Sequence, residues 1–384
     1  MKKQIINGNI LAQGRHWING GSIIINNDKI TEIRCDSMPV DGVGEVIDAH
    51  GGFVLPGAID LHVHGGGGCD FMEGTREAFE TIVHTHRRHG TTALFPTLAA
   101  STREQIVRAA KVCSGMMQDK NSGVLGLHLE GPYFDPVMAG GQIAENIRKP
   151  DPEEYILLVD NYHCIARWDT APEIPGALAF GQYLRKKGIV AGIAHTRAGY
   201  IEVQEAFNAG YTMATHFYNA MTSVHKEGIY KHAGTVEAIY LIDDIDVEVI
   251  ADGVHVPLEI LRLVHKIKGP SRTCLVTDAM SLTASPDSFA FDPRVIIKDG
   301  ACQLKDGSAL AGSCATMDRL VRTAVSAGIP LEDVSAMVSS TPARIMGVSD
   351  RKGSLTPGKD ADIIIFDSSI NLTHVIAMGN QYPR

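Results

Sequence analysis

Apolar runs of strand length alternate with amphipathic stretches of helical length through the middle of the chain. Strands are predicted at 54–64, 91–97, 124–130, 167–171, 189–195, 212–218, 247–252 and 273–278. Helical patterns fill most of the intervals, including 77–89, 104–117, 153–161, 201–208 and 258–267. The strands recur about every 31 residues, close to the ~30-residue βαβ unit. Eight such units predict an α/β fold, a (β/α)8 TIM-like barrel with its active site at the carboxyl ends of the strands.

The two ends of the chain have a different pattern. Residues 1–52 contain short β-like runs at 4–6, 21–25 and 30–34, with Asn27-Asp28 as a hairpin signal. Residues 351–384 contain two more, at 361–366 and 374–378. Each end is too small to fold alone. We therefore predict that 1–52 and 351–384 pair into a small β-sandwich domain beside a catalytic barrel of residues 53–350.

Residues of the kind that bind metals close several of the predicted strands. His62 and His64 stand two apart, so in a strand they share one face, and a glycine run begins at Gly65. Ligand-type residues recur at the ends of later apolar runs, as Glu130, His195, His216 and Asp278. Individually these histidines also fit hydrogen-bonded core positions. Together they indicate a metal-dependent hydrolase. A doubly wound sheet also alternates strands and helices, but it does not place ligands on so many strands around one centre.

A second pair of alternate histidines provides a contrast. His84 and His86 fall in the helical pattern 77–89, which Gly90 ends. Residues two apart on a helix diverge by about 200° and cannot bind one ion together. We therefore interpret this pair as surface or packing histidines.

Asp278 is the best candidate for a general base, because a carboxylate beside a metal can accept a proton from water. The alternative is an aspartate that caps the next turn. Asp252 and His255, at the end of the seventh strand, are predicted to hold substrate or shape the loop. The fourth strand ends without a lysine, so any bridge between two ions must come from Glu130.

Composition and net charge indicate a globular protein that does not bind nucleic acid. The 384 residues are 44% apolar and 21% charged, which is ordinary globular composition. The net charge of −9 argues against a polyanion-binding surface, and nucleic acid is not expected as a partner. Seven scattered cysteines without a CxxC pair fit a reducing cytoplasm. Neither a signal peptide nor a membrane-spanning run of about 20 apolar residues is recognisable.

Several segments resemble the amidohydrolase superfamily and, within it, the N-acetylglucosamine-6-phosphate deacetylases. The most family-specific are Glu130-Gly131-Pro132 and the stretch from His216 to Met221. The others are 56–65, 126–129, 171–173, 194–196, 250–255, 275–279, 310–313 and 341–344. Together they span nearly the whole chain in order.

The resemblance implies a cytoplasmic homodimer of amino-sugar catabolism that removes acetate from a sugar 6-phosphate. It makes Glu130, His195 and His216 the main metal ligands, and His62 and His64 a second metal position. One or two divalent ions are expected, zinc first and iron, manganese or cobalt as alternatives. Asp278 matches the catalytic acid/base beside the metal, which takes a proton from the attacking water and passes it to the departing amine. The matching substrate-contacting positions are Asn219, Ala220, His255, Leu310, Ala311 and Gly312.

Two departures from the family pattern concern the substrate. Many members have a histidine where this chain reads Gly140-Gly141-Gln142, so Gly141 and Gln142 are expected to contact the sugar without a charge. Members typically carry an Arg-Glu-Pro-Gly segment where this chain has 225–232. Lys226 and Lys231 are then the predicted phosphate contacts, as point charges without the bidentate fork of an arginine. The alternative is a solvated loop.

Other functions remain open from the sequence. A deacetylase for the galactosamine epimer or another N-acyl amino sugar uses the same chemistry. A nucleobase or cyclic-amide hydrolase shares the barrel and metals but does not account for Asn219-Ala220-Met221. A non-enzymatic binding or scaffold protein predicts lost ligands, whereas all six positions are intact.

Overall fold

The computed structural model describes residues 1–12, 15–286 and 290–383. It places the eight predicted strands side by side in one parallel sheet. With strands numbered in chain order, these are β6 (Ala58–Val63), β9 (Thr91–Leu98), β10 (Leu127–Tyr133), β11 (Ile165–Thr170), β12 (Val190–Ile193), β13 (Tyr211–Ala214), β16 (Asp246–Val249) and β17 (Thr273–Leu275). The last strand returns to the first, since the backbone N–H of Asp278 donates to the carbonyl of His62 at 2.9 Å. The predicted barrel is confirmed.

Helices connect these strands or follow the last of them, and they pack around the barrel. They are α1 (Arg76–Arg87), α2 (Arg103–Met117), α3 (Pro152–Asn161), α4 (Ala177–Lys187), α5 (Tyr200–Ala209), α6 (Thr235–Leu241), α7 (Leu258–Lys268), α8 (Met317–Ser326), α9 (Leu331–Val338) and α10 (Ser340–Ile345). Helix α2 shows why the predicted starts were close. Thr102 and Gln105 satisfy each other's backbone N–H groups in a capping box.

Both ends of the chain pair into a separate sheet, as predicted. Its strands are β1 (Lys2–Ala12), β2 (His16–Asn26), β3 (Lys29–Arg34), β4 (Glu45–Asp48), β5 (Phe53–Pro56), β20 (Ile363–Phe366), β21 (Leu372–Ala377) and β22 (Asn380–Tyr382). The predicted turn at Asn27-Asp28 joins β2 and β3. Buried isoleucines from both ends, including Ile5 and Ile365, form one apolar core. The two ends therefore share a single apolar core.

The apolar run 54–64, predicted as one strand, is two strands in different sheets. Strand β5 pairs with β20 in the small sheet, whereas β6 belongs to the barrel. The chain changes sheet at Gly57, whose N–H donates to the carbonyl of Asp362 at 2.8 Å. A Cβ at Gly57 would lie 2.3 Å from the Thr92 hydroxyl. The small sheet therefore extends past residue 52, and the predicted domain limits at 52/53 and 350/351 remain predictions.

Three two-stranded hairpins stand apart from the two large sheets. They are β7 (Gly65–Gly66) with β8 (Cys69–Asp70), β14 (His225–Glu227) with β15 (Tyr230–His232), and β18 (Val295–Lys298) with β19 (Ala301–Leu304). Short 3-10 helices cover Phe71–Glu73, Pro136–Met138 and Ala144–Asn146. All seven cysteines are free. Among the described residues, none of the helices is long and apolar enough to cross a membrane.

Candidate active site

Three of the predicted ligands lie just past strand ends in an unusual backbone conformation. His195, His216 and Asp278 have φ angles of 47°, 29° and 47°, in the left-handed region that residues other than glycine rarely adopt. Strands β12, β13 and β17 therefore end two or three residues before these side chains rather than including them. Strain of this kind persists only where the surrounding structure holds it, and it concentrates at functional sites.

Glu130, His195 and His216 form a first ligand group at the carboxyl end of the barrel. Oε1 of Glu130 lies 3.1 Å from Nε2 of His195 and 2.9 Å from Nε2 of His216. The two imidazole Nε2 atoms are 3.2 Å apart. All three side chains are buried, and their atoms are close enough to share one ion.

His62, His64 and Asp278 form a second ligand group beside the first. The Nε2 atoms of His62 and His64 are 3.1 Å apart. Oδ1 of Asp278 lies 3.4 Å from the His62 Nε2 atom and 3.2 Å from that of His64. The i, i+2 spacing of the two histidines thus brings both imidazoles to one point, as expected for a strand. His84 and His86 do not contribute, since His84 is exposed and His86 donates to the Gly65 carbonyl.

Glu130 links the two groups. Its Oε1 atom faces the first group, whereas Oε2 lies 3.2 Å from Nε2 of His64 and 3.7 Å from Nε2 of His62. The two oxygens of one carboxylate therefore face the two ligand groups, which is the arrangement that a bridging ligand requires.

The protonation pattern of the rings fits a divalent ion. The Nδ1 atoms of His195 and His216 face the carbonyls of Met138 and Asn219 at 2.7 and 3.2 Å. In the neutral rings each Nδ1 therefore carries the proton and donates it, which leaves the Nε2 lone pairs facing each other. Two such acceptors at 3.2 Å have no proton to share, whereas a cation between them satisfies both. Imidazole and carboxylate donors suit zinc, iron, manganese or cobalt.

The carboxylates and imidazoles of the two groups shift one another's titration. Burial lowers the pKa of His64, but the carboxylates of Asp278 and Glu130 outweigh it and raise that pKa to about 9. Burial raises the pKa of Asp278, but His62 and His64 more than offset this and lower it below its usual value. The Asp278 carboxyl is therefore ionised at neutral pH and able to accept a proton.

The ligand groups lie at the floor of a cavity of about 480 Å³. The predicted substrate-contacting residues that line it are Gly141, Gln142, Asn219, Ala220, His255, Leu310, Ala311 and Gly312. Gly312 has a φ of 63°, and a Cβ there would lie 2.7 Å from the Met280 side chain. The loop after β19 therefore needs glycine at this position to approach the cavity.

Gln142 makes contacts that the sequence did not predict. Its Nε2 donates to Oε2 of Glu130 at 2.7 Å, and its Oε1 accepts from the N–H of Ala100 at 2.7 Å. Both the nitrogen and the oxygen of the Gln142 amide are thus hydrogen-bonded within the protein, and the nitrogen holds the candidate ligand Glu130. Its contact with a sugar stays a prediction.

Asp252 and His255 form an oriented pair at the cavity wall. Nδ1 of His255 lies 2.8 Å from Oδ2 of Asp252, whose Oδ1 accepts the backbone N–H groups of Val254 and His255. Because Asp252 takes the Nδ1 proton, the Nε2 atom of His255 is left as an acceptor. The pair thus shapes the loop, and its contact with a substrate stays a prediction.

Lys226 and Lys231, the predicted phosphate contacts, lie outside the cavity. They are cross-strand neighbours in the β14–β15 hairpin, all of whose strand residues are exposed. Neither is among the described residues that line the cavity. Within a single chain, these two lysines therefore do not reach the ligand groups.

Arg294 is a cavity residue that sequence reasoning missed. It donates to the carbonyls of Gly141 and Gln142 at 3.0 and 3.3 Å and pairs with Asp292 at 2.7 Å. Of the described residues that line the cavity, it alone is a lysine or arginine. No motif marked it, because it lies beyond the last barrel strand, where an isolated arginine resembles any surface arginine.

Comparison with known proteins places these features in a family. The profile described as "Amidohydrolase family" matches residues 53–382. An N-acetylglucosamine-6-phosphate deacetylase of Haemophilus influenzae is 32% identical over 364 residues, covering 93% of each chain. An N-acetylgalactosamine-6-phosphate deacetylase of Escherichia coli O157:H7 is 29% identical, covering 94% of this chain and 95% of that protein.

Solved structures of related enzymes have the same fold. A crystal structure of N-acetylglucosamine-6-phosphate deacetylase from Pasteurella multocida is similar at a TM-score of 0.93 and 31% identity, covering 100% of both chains. A Mycobacterium smegmatis enzyme of that name, a variant in complex with N-acetyl-D-glucosamine-6-phosphate, is similar at a TM-score of 0.90 and 28% identity, again over 100% of both chains.

Proposed function

The chain belongs to the amidohydrolase family, and we propose that it hydrolyses the acetamide of N-acetylglucosamine 6-phosphate to glucosamine 6-phosphate and acetate. The observation that carries this proposal is the convergence of six ligand-type side chains on two adjacent positions at the floor of one cavity. The deacetylases named above match nearly the whole chain and support the choice of substrate.

Glu130, His195 and His216 would hold one divalent ion, and His62, His64 and Asp278 a second. Bound there, such an ion supplies Lewis-acid polarisation of the amide carbonyl and activates water. We take zinc as the first choice, because imidazole and carboxylate sets of this kind suit it.

Asp278 is the proton carrier in this proposal. Its ionised carboxylate accepts a proton from the attacking water as the hydroxyl adds to the carbonyl carbon. It then delivers that proton to the amine nitrogen as the carbon–nitrogen bond breaks, so a neutral amine leaves. Asn219, His255 and the 310–312 loop would orient the sugar above it, and this orientation converts a slow bimolecular attack into a favourable intramolecular one.

The galactosamine epimer is the second candidate substrate. The relative from Escherichia coli O157:H7 named for that epimer matches this chain over 94% of its length. Gln142 replaces the usual histidine of the substrate loop, and it is bound to Glu130. The loop expected to meet the sugar therefore departs from the usual family residue, and this departure is the reason to test the epimer.

We also propose a cytoplasmic homodimer. The net charge, the free cysteines and the phosphosugar substrate fit a cytoplasmic enzyme. The exposed hairpin with Lys226 and Lys231 carries Ile229 and Tyr230, which are 84% and 70% exposed. A neighbouring subunit would cover this apolar surface, and the two lysines would then lie near that subunit's substrate.

Acetate release tests the proposal. The protein, stripped of metal and reloaded with zinc, is assayed with N-acetylglucosamine 6-phosphate, its galactosamine epimer and unphosphorylated N-acetylglucosamine. We expect the highest kcat/KM with the first substrate. A higher value with the epimer would reassign the substrate, and no release from any of the three by zinc-loaded protein would contradict the deacetylase proposal.

A further inference from the structure

A buried ionic network lies beneath His62 and is not used in the chemistry proposed above. Arg167 on β11 stands at its centre, between Asp169 and Glu248, and all three side chains are fully buried. The guanidinium donates to both oxygens of Asp169 at 3.0 Å. It also donates to both oxygens of Glu248 on β16, to Oε2 at 2.9 Å and to Oε1 in a shorter contact. Two carboxylates thus share one cation, and the three groups carry one net negative charge.

The two carboxylate arms of this network end in different places. Oδ2 of Asp169 faces Nε2 of His128 at 2.8 Å and accepts from the Thr215 hydroxyl at 2.7 Å. Oε2 of Glu248 instead faces Nδ1 of His62 at 3.3 Å. The Nε2 atom of that same ring belongs to the second ligand group. The Glu248 arm therefore reaches a candidate metal ligand directly, and the Asp169 arm does not.

The group that accepts the Nδ1 proton of His62 also differs in charge from the groups behind the histidines of the first ligand group. The ring protons of His195 and His216 go to backbone carbonyls, which carry no charge. That of His62 goes to a carboxylate. A carboxylate that accepts the distal N–H of a histidine fixes its tautomer and ring orientation and makes the opposite nitrogen a stronger ligand.

We propose that Glu248 is a positioning residue that sets metal affinity at the second ligand group, by accepting the Nδ1 proton of His62, and that Arg167 holds Glu248 in place. The inference rests on the proposed function only in that this group binds a divalent ion. Without Arg167, Glu248 would be an unpaired buried charge and would not keep this geometry. The histidines of the first ligand group donate to uncharged carbonyls instead, so we expect the effect of Glu248 to be confined to the second position.

Zinc titration of metal-free protein tests this. Wild type is expected to bind two zinc ions per chain, measured as the metal-to-protein ratio and by competition with a chelating dye. Glu248→Gln keeps the size of the side chain and removes the charge. We expect the affinity that is lost in His64→Ala to fall by about tenfold or more, with the other affinity unchanged. In a His64→Ala background, which already lacks the second position, the same substitution should add no further loss.

Asp169→Asn is the matched control, because it removes the same charge from the other arm of the same arginine. It should lower the melting temperature and leave both zinc affinities within a few-fold of wild type. Glu248→Asp keeps the charge and should retain more of the second affinity than Glu248→Gln. It also serves as the test variant if Glu248→Gln does not fold.

Three outcomes would overturn the inference. The first is wild-type zinc binding at both positions in Glu248→Gln, and the second is an equal loss at both. The third is a wild type that binds fewer than two ions, because Glu248 then has no second ion to support. A one-zinc protein that still releases acetate would overturn this inference alone and leave the proposed function standing.

Discussion

At the residue scale, the site consists of side chains whose second polar atom is already engaged. The ring Nδ1 atoms of His62, His195 and His216 each face an acceptor, and His255 is held by Asp252. In a neutral ring the nitrogen that faces the cavity or the ligand group is therefore the one with the free lone pair. This arrangement prepares ligands before any ion arrives, which reduces the reorganisation that binding requires.

Asp278→Asn tests the proton carrier at this scale. The substitution keeps the shape of the side chain but removes the basic carboxylate. We expect kcat for acetate release to fall by about 100-fold or more, with zinc still bound by Glu130, His195 and His216. Zinc content is measured alongside turnover. Asp292→Asn, a cavity carboxylate outside both ligand groups, serves as the control and should change kcat far less. Activity of Asp278→Asn within tenfold of wild type would exclude this role.

At the element scale, the barrel strands place the ligands, and the loops and hairpins that connect the strands shape the cavity. The ligands on or just past β6, β10, β12, β13 and β17 meet because parallel strands end at one rim of the barrel. The hairpins arise from longer connections. One of them, β14–β15, carries two lysines away from the cavity of its own chain.

The double variant Lys226→Ala/Lys231→Ala tests whether that hairpin serves the phosphate. If its lysines meet phosphate across a dimer, KM for the phosphorylated sugar should rise several-fold, because two charge-assisted contacts are lost. Turnover of the unphosphorylated sugar should not change. Lys111→Ala/Lys266→Ala removes two exposed lysines from α2 and α7 and is the control for net charge. Equal KM values in both double variants would assign the hairpin to solvent, the alternative predicted from sequence.

At the scale of the whole molecule, the barrel and the small sheet are joined at several points. Strand β5 leads directly into β6 through Gly57, and Arg87 of α1 bonds the Tyr382 hydroxyl at 2.9 Å. His86 of the same helix is buried against the glycine run that begins at Gly65. Its Nε2 donates to the Gly65 carbonyl at 2.8 Å, and its Nδ1 atom has no hydrogen-bond partner among the residues that the structure describes.

His86 makes the stability of the protein depend on pH. Burial lowers its pKa to about 4, whereas an unfolded histidine titrates near 6.5. The folded state therefore holds the neutral ring, and the unfolded state gains a proton first as pH falls. Stability from this group is complete above 6.5 and is lost as pH falls from 6.5 through 4. Between pH 7 and pH 5 we expect a loss of about 2 kcal/mol from His86.

Urea unfolding of the metal-free protein at pH 7 and pH 5 measures this loss. His86→Gln keeps an N–H donor for Gly65 but does not titrate, so its loss between the two pH values should be smaller by about that amount. His84→Gln, on the exposed side of the same helix, should match wild type. An unchanged pH dependence in His86→Gln would refute the assignment.

The sequence by itself determined the architecture and the ligand types. Strand-length apolar runs at a regular spacing predicted eight βα units. A parallel strand is buried on both faces, so it appears in the sequence as a nearly continuous apolar run. The polar residues that end those runs identified His62, His64, Glu130 and Asp278 as neighbours, since strands of a barrel end together.

Only the tertiary structure decided which polar groups meet across the chain. Four features cannot be read from any local stretch of sequence. They are the division of 54–64 at Gly57, the hydrogen bond from Gln142 to Glu130, the position of Arg294 in the cavity and the pairing of Glu248 with Arg167. Each depends on contacts between residues from 12 to more than 300 positions apart. Hydrophobic periodicity reports which face of an element is buried, whereas the partner of a buried charge is set by how the elements pack.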